Sequence, residues 1–126
     1  MTTTKRVLLV EDEPNILEVL RFLMVREGWH VTAISSGLDA AKIAQETSPD
    51  LVILDLMLPD RSGFDVLQDL RAIDAFVQTP ILILTARGQA KDKALAIESG
   101  ATEYMTKPFA NRDVLTTAQR LMDAAS

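Results

Sequence analysis

The sequence contains no cysteine, and this absence excludes several kinds of chemistry at once. Disulfide bonds, thiolate zinc sites and cysteine nucleophiles all require a thiol. Histidine is almost absent as well. The single histidine, His30, lies in a predicted strand away from the charged clusters, where an exposed or strand-edge position is the simplest interpretation. We assign it no function, so any metal site in this chain is expected to use oxygen ligands.

An excess of positive charge and long hydrophobic runs are also missing. The 18 acidic residues outnumber the 13 basic residues, which gives a net charge of -5. Direct binding to nucleic acid or to an anionic membrane needs a basic surface and is therefore not expected. The first residues lack the apolar core of a signal peptide, and no segment is long enough to span a bilayer. We therefore expect a cytoplasmic protein.

What is present suits one α/β domain. A chain of 126 residues, 48% of them hydrophobic, can bury one sizeable core, and we expect residues 1–126 to form a single domain without an output domain. Short aliphatic runs alternate with amphipathic segments, which predicts a parallel sheet with right-handed crossovers and helices on both faces. Ser35 or Ser36 is the predicted N-cap of the second helix. Strands are predicted at 7–10, 29–34, 51–54, 81–84 and 102–106, each followed by a helix.

Reactive side chains follow directly after four of these predicted strands. Glu11 and Asp12 follow the first strand, and Asp55 follows the third, a fully aliphatic run typical of a central strand. Thr85 and Lys107 follow the fourth and fifth. Because the carboxyl ends of parallel strands meet at one edge of a sheet, we expect these groups to lie together. Close carboxylates repel one another unless a cation binds between them, and oxygen ligands favour magnesium, so the pattern predicts a phosphoryl-transfer site with Asp55 as the nucleophile.

Four stretches of the chain resemble a known family in both order and spacing. They are Val7–Val10 with Glu11–Asp12–Glu13, Ile53–Pro59 with Gly63, Leu84–Thr85–Ala86, and Tyr104–Phe109. Over essentially its whole length the chain is similar to the receiver, or CheY-like, domain of two-component response regulators. This resemblance implies a flavodoxin-like, doubly wound (βα)5 fold with strand order 2-1-3-4-5.

The resemblance also implies a role for each residue at the predicted site. Asp55 would accept a phosphoryl group from a histidine kinase or a phosphotransfer protein in a magnesium-dependent reaction. Asp12, Asp55 and the backbone carbonyl of Met57 would hold the magnesium ion, with Glu11 acting through water. Lys107 would neutralise the oxygens of the phosphoryl group.

A conformational switch is the further implication of the resemblance. The Thr85 hydroxyl would move toward the phosphate while the Tyr104 ring turns inward, and an unknown downstream protein would detect the change. The last two helices and the fifth strand are the expected contact surface and also the expected homodimer surface. Leu95, Thr102 and Thr117 depart from the pattern there, because members joined to winged-helix DNA-binding domains usually carry charge at these places.

Three alternative functions stay open at this point. A magnesium-dependent aspartyl-phosphate phosphohydrolase would also use a strand-end aspartate, but such enzymes typically have a second acid two residues later, where this chain has Met57. Nothing in the sequence favours a receiver-like module that takes no phosphate and only binds a partner, since the acids, Thr85 and Lys107 are all present. A flavodoxin-like electron carrier would need a phosphate-binding loop after Val10, where acids stand instead. We therefore expect a signalling switch that catalyses only its own phosphorylation and dephosphorylation, not an enzyme.

Overall fold

A parallel sheet of five strands lies at the centre of the protein, and the computed structural model describes residues 4–125 of the chain. The strand order is β2-β1-β3-β4-β5, and every neighbouring pair is parallel. The predicted fold class and strand order are thereby confirmed. The strands are β1 Arg6–Val10, β2 His30–Ile34, β3 Leu51–Leu54, β4 Ile81–Thr85 and β5 Glu103–Thr106.

A helix follows each strand. The helices are α1 Pro14–Arg26, α2 Ala40–Thr47, α3 Gly63–Arg71, α4 Ala90–Glu98 and α5 Asn111–Ala125, and a short 3-10 turn at Asp74–Phe76 precedes β4. Pro14 stands in the first turn of α1, where its missing N–H leaves no hydrogen bond unmade. In residues 4–125, none of the helices is long and apolar enough to cross a membrane.

Several local predictions were wrong, and among them Thr85, which was predicted to follow the fourth strand, is the last residue of β4. Ser35 and Ser36 do not cap α2, which begins after Asp39; the Ser36 hydroxyl instead donates to the Asp60 carboxylate in the loop after β3. Trp29 lies before β2 rather than in it, because its backbone N–H donates to the Met24 carbonyl and closes the end of α1. Thr102 lies before β5, where its hydroxyl accepts a hydrogen bond from the backbone N–H of Ile81 at 3.0 Å.

The aliphatic side chains of the sheet form a separate core on each face. Residues 8 and 10 of β1 face one core with residues 52 and 54 of β3, and residues 7, 9, 51 and 53 face the other. Helices α2, α3 and α4 supply buried side chains to the first core, and α1 and α5 supply them to the second. All four residues of β3 are buried, which is why this strand shows no polar alternation.

Arg71, at the end of α3, ties together three segments at the amino-terminal edge of the sheet. Its guanidinium donates to the backbone carbonyl of Gly100 at 2.9 Å and to those of Phe76 and Thr79 at 2.6 Å. Gly100 ends α4 with φ +113, and a Cβ there would lie 2.8 Å from Cγ of Arg71. One side chain therefore holds both the connection that precedes β4 and the connection between α4 and β5 to α3.

The two-sided burial of β3 makes its side chains the most sensitive to truncation. We expect Leu54→Ala to lower the free energy of unfolding by about 2–5 kcal/mol, because a fully buried leucine leaves a cavity. Leu38→Ala is the matched control, since Leu38 is exposed in the loop before α2, and it should change the stability by less than about 0.5 kcal/mol. Urea unfolding followed by Trp29 fluorescence measures both, and equal losses would contradict this assignment of the core.

Candidate functional site

Three carboxylates meet at the carboxyl-terminal edge of the sheet. One oxygen atom from each of Glu11, Asp12 and Asp55 lies within 4.8 Å of the others. The backbone continues the strand ladder into the site, because the N–H of Glu11 donates to the Ile34 carbonyl and that of Asp55 to the Val10 carbonyl, both at 3.0 Å. The sheet itself therefore positions two of the three acids. Glu11 is 2% exposed and Asp55 is 3% exposed, so their mutual repulsion is poorly screened by water.

Lys107 joins the acids from the end of β5. Its Nζ lies 2.8 Å from Oε1 of Glu11, 3.0 Å from Oδ2 of Asp55 and 3.0 Å from Oε1 of Glu13. Its backbone N–H donates to the Thr85 carbonyl at 2.8 Å, and the peptide bond to Pro108 is cis. Burial opposes the lysine charge, but hydrogen bonds to Glu11, Glu13 and Asp55 outweigh it and raise the lysine pKa. Lys107 therefore stays positively charged.

The contact between Glu13 and Lys107 was not predicted from the sequence. Its carboxylate was interpreted only as part of the acidic segment, yet it binds Lys107 from the N-cap position of α1. Its side chain is 56% exposed, unlike that of Glu11, so this contact is the more easily broken of the two. The one signal in the sequence for this contact is that Glu13 lies two residues after Glu11. In the structure the backbone N–H of Glu13 donates to Oε2 of Glu11 at 3.1 Å, which keeps the two acids close together.

The protonation of Glu11 reflects the crowding of the site. Burial raises the pKa of Glu11 to about 7, the hydrogen bond from Lys107 works against that rise, and the negative charge of Asp55 adds to it. Lys107 is the one cationic side chain paired with these acids in residues 4–125. Clustered carboxylate oxygens with too little positive charge fit a hard divalent cation, and the residues present thus suit magnesium.

The loop after β3 holds the Asp55 side chain in place. The backbone N–H of Met57 donates to Oδ1 of Asp55 at 3.0 Å, while the Met57 side chain is exposed. Gly63 begins α3 directly against this loop, since a Cβ at that position would overlap the backbone of Asp55 and Leu56. A residue without a side chain is required there for α3 to start so close to the site. The role of the Met57 carbonyl as a metal ligand stays a prediction.

The two predicted switch residues lie one strand apart and both contact Arg87. Thr85 is fully buried at the end of β4, and its hydroxyl accepts a hydrogen bond from the Arg87 N–H at 3.3 Å. The half-buried Tyr104 of β5 donates its hydroxyl proton to the Arg87 carbonyl. Within residues 4–125, Thr85 makes no hydrogen bond to Asp55. The structure thus brings Glu11, Asp12, Asp55 and Lys107 together, whereas the side chains of Thr85 and Tyr104 bind the loop that follows β4.

His30 behaves as expected, because it is exposed on β2, an edge strand on the far side of β1. Fold and site together define a flavodoxin-like protein with a carboxylate, a lysine and a cation-accepting acidic cluster at the carboxyl edge of its sheet.

Comparison with known proteins identifies the family within that class. The chain matches the response regulator receiver domain over residues 7–119, and it therefore belongs to that family. It is 46% identical over 103 residues to the transcriptional regulatory protein KdpE of Mycobacterium tuberculosis, which is 82% of this chain and 44% of the relative. It is 43% identical over 110 residues to the alkaline phosphatase synthesis transcriptional regulatory protein PhoP of Bacillus subtilis, which is 87% of this chain and 45% of the relative. The chain thus spans less than half the length of these relatives.

Solved structures share the fold. The chemotaxis protein CheY4 of Vibrio cholerae superposes with a TM-score of 0.89 at 29% identity, over 94% of this chain and 99% of that one. The receiver domain of a sensor histidine kinase from Pseudomonas aeruginosa, solved with a magnesium ion in its active-site cleft, superposes with a TM-score of 0.87 at 27% identity, over 96% of this chain and 99% of that one.

Magnesium should stabilise the fold through the acidic cluster. We expect added magnesium to raise the melting temperature of the wild type, because an ion that binds only the folded state stabilises it by mass action. Asp12→Asn should weaken magnesium binding at least about tenfold, since it removes a charged oxygen ligand. Asp39→Asn, an equal change of charge at an exposed position, should bind as the wild type does. Calorimetric titration with magnesium measures this, and equal affinity of Asp12→Asn would contradict the assignment of the site.

Proposed function

We propose that this protein is a phosphorylation-dependent signalling switch in which Asp55 accepts a phosphoryl group from a histidine kinase or a phosphotransfer protein. The observation that carries the proposal is the Asp55 carboxylate, which is held by Lys107 at 3.0 Å inside a cation-accepting acidic cluster. Membership of the receiver-domain family supports it. The proposal covers residues 1–126 as a single receiver domain, although residues 1–3 and 126 lie outside the described part of the chain.

The contacts of Asp55 orient its carboxylate for transfer of the phosphoryl group. A carboxylate oxygen of Asp55 forms the new bond to phosphorus, the bond between phosphorus and the donor imidazole nitrogen breaks, and the imidazole leaves with that electron pair. Oδ1 is oriented by the N–H of Met57 and Oδ2 by Lys107, so the carboxylate is fixed before the donor arrives. The Lys107 ammonium then neutralises the equatorial oxygens, and the Thr85 hydroxyl donates a hydrogen bond to one of them.

The acidic cluster would hold magnesium during this step. Asp12, Asp55 and the carbonyl of Met57 would be ligands, and Glu11 would act through water. When bound, magnesium supplies positive charge to the phosphoryl oxygens and offsets the repulsion among the acids. The magnesium-containing receiver domain of the Pseudomonas aeruginosa kinase, with which this chain shares 27% identity, supports the assignment.

Lys107 has to change partners when the phosphoryl group arrives. Its contact with Asp55 passes to the phosphoryl oxygens, because the modified carboxyl no longer presents a free charged oxygen there. The exposed Glu13 releases Lys107 more easily than the buried Glu11 does, so Glu13 holds the lysine in place without blocking the new contact. Thr85 and Tyr104 would then move as the switch.

The remaining expectations about partners stay proposals. We propose a cytoplasmic protein that signals to a downstream protein and makes no direct contact with nucleic acid or membrane through this chain, whereas the longer relatives are named transcriptional regulators. A homodimer through α4, β5 and α5 stays a prediction as well. Leu95 and Ile97 on α4 are exposed and would meet the partner, while Arg120 and Glu103 pair within one chain.

Mass spectrometry after incubation with acetyl phosphate and magnesium tests the phosphate acceptor. The wild type should gain the mass of one phosphoryl group, and Asp55→Asn should gain none, because an amide is not a nucleophile at this step. Asp65→Asn, an exposed position on α3, is the control and should be labelled as the wild type is. An equal adduct on Asp55→Asn would show that another residue takes the phosphate.

The same reaction separates the switch from the phosphohydrolase alternative. A hydrolase would release many equivalents of inorganic phosphate from a phosphate ester, whereas this site lacks an acid at residue 57 and should release only what its own slow phosphorylation cycle produces. Phosphate release from acetyl phosphate and from a phosphate monoester is the measurement. Rapid turnover of the monoester would overturn the proposed function.

A further inference from the structure

Arg87 occupies a central position in the loop between β4 and α4. Its main chain binds both predicted switch residues, because its N–H donates to the Thr85 hydroxyl at 3.3 Å and its carbonyl accepts from the Tyr104 hydroxyl. Neither side chain can move far without moving Arg87 or breaking one of these bonds. The main chain of Arg87 is thus the shared partner of the two residues.

The Arg87 side chain attaches this loop to two helices. Its Nη2 lies 2.9 Å from Oδ1 of Asp92 in the first turn of α4, and its guanidinium carbon lies 5.8 Å from the centre of the Phe64 ring on α3. The Asp92 side chain is 9% exposed, whereas that of Arg87 is 44% exposed. A nearly buried carboxylate needs a partner, and Arg87 is its cationic partner among residues 4–125.

This ion pair joins an exposed segment of the chain to the first turn of α4. Thr85 is anchored in the sheet and Ala96 of α4 in the core, and both are fully buried. Residues 86–90 between them are exposed. The segment has few buried contacts of its own, so its position depends on the bonds of Arg87.

We propose that the Arg87–Asp92 ion pair restrains the switch, by stabilising the arrangement in which Thr85 and Tyr104 are bound to Arg87. This inference rests on the proposed function, in which those residues move after Asp55 is phosphorylated. As Thr85 turns toward the phosphoryl group and Tyr104 leaves the Arg87 carbonyl, the loop shifts and the ion pair breaks. Arg87 and Asp92 are positioning residues, because they act through the switch pair and not on the phosphoryl group.

The direction in which removal of the ion pair changes the affinity for a phosphoryl analogue follows from a shift between the two arrangements of the switch. A contact present in one arrangement only favours that arrangement, and its removal increases the population of the other. Loss of the Arg87–Asp92 ion pair should therefore make Asp55 bind a phosphoryl analogue more tightly. Simple destabilisation of the fold would weaken binding or leave it unchanged, so the direction of the effect separates a switch restraint from a structural role.

Titration with beryllium fluoride in the presence of magnesium tests the proposal, with calorimetry as the readout. We expect Asp92→Asn and Arg87→Ala each to bind this phosphoryl analogue about 2- to 5-fold more tightly than the wild type, as suits a half-exposed ion pair. The double variant should bind no more tightly than either single variant, because both remove the same contact. Arg87→Lys keeps the charge and should return toward the wild-type affinity.

The control variants are Lys91→Ala on α4 and Asp113→Asn on α5, which remove one charge of each sign at exposed positions and should leave the affinity unchanged. Normal binding by the wild type with unchanged or weaker binding by Asp92→Asn would overturn the restraint alone. Additive gains in the double variant would also overturn it. Absence of binding by the wild type would remove the proposed function and the restraint together.

Discussion

Mutual repulsion among buried carboxylates is the constraint on which this site depends. The sheet delivers Glu11 and Asp55 to a place with little water, where their charges are poorly screened, and Asp12 lies within reach of both. Lys107 offsets part of this repulsion, and the hydrophobic layers on both faces of the sheet supply the free energy that keeps the acids together. Because one lysine faces several acids, the site remains short of positive charge. That shortage explains why magnesium is chemically suited to it.

The fold and the residues that gather at the site could largely be predicted from the sequence alone, because of the geometry of parallel sheets. The aliphatic run Leu51–Leu54 indicated a central strand, and the common direction of the strands brought residues 11, 55 and 107 to one edge. No comparable rule covers side-chain partners in loops. Ser36 bonds to Asp60 in another loop instead of capping α2, and Glu13 reaches Lys107 although the two are far apart in sequence. Such contacts depend on rotamers and loop paths, which a one-dimensional pattern does not encode.

The same distinction applies to the Arg87 contacts. The sequence placed Arg87 beside Thr85, but its bonds to Tyr104, Asp92 and the Phe64 ring require the folded arrangement of α3, α4 and β5. In three dimensions, Lys107 links the Asp55 carboxylate to the Thr85 carbonyl, and Arg87 links Thr85 to Asp92 on α4. On the proposed function, a change of charge at Asp55 would therefore cross only a few covalent and hydrogen-bonded links before it reached α4.

Arg71 gives this arrangement a mechanical asymmetry. By binding the Gly100 carbonyl, it anchors the carboxyl-terminal end of α4 to α3, whereas the other end of the helix is joined to the sheet through the exposed segment 86–90. The Arg87–Asp92 ion pair binds the other end of α4 to that segment, so breaking it would leave the anchor at Gly100 as a pivot for the helix. A displacement at the edge that carries the acidic cluster would then move the first turn of α4 while its last turn stays in place.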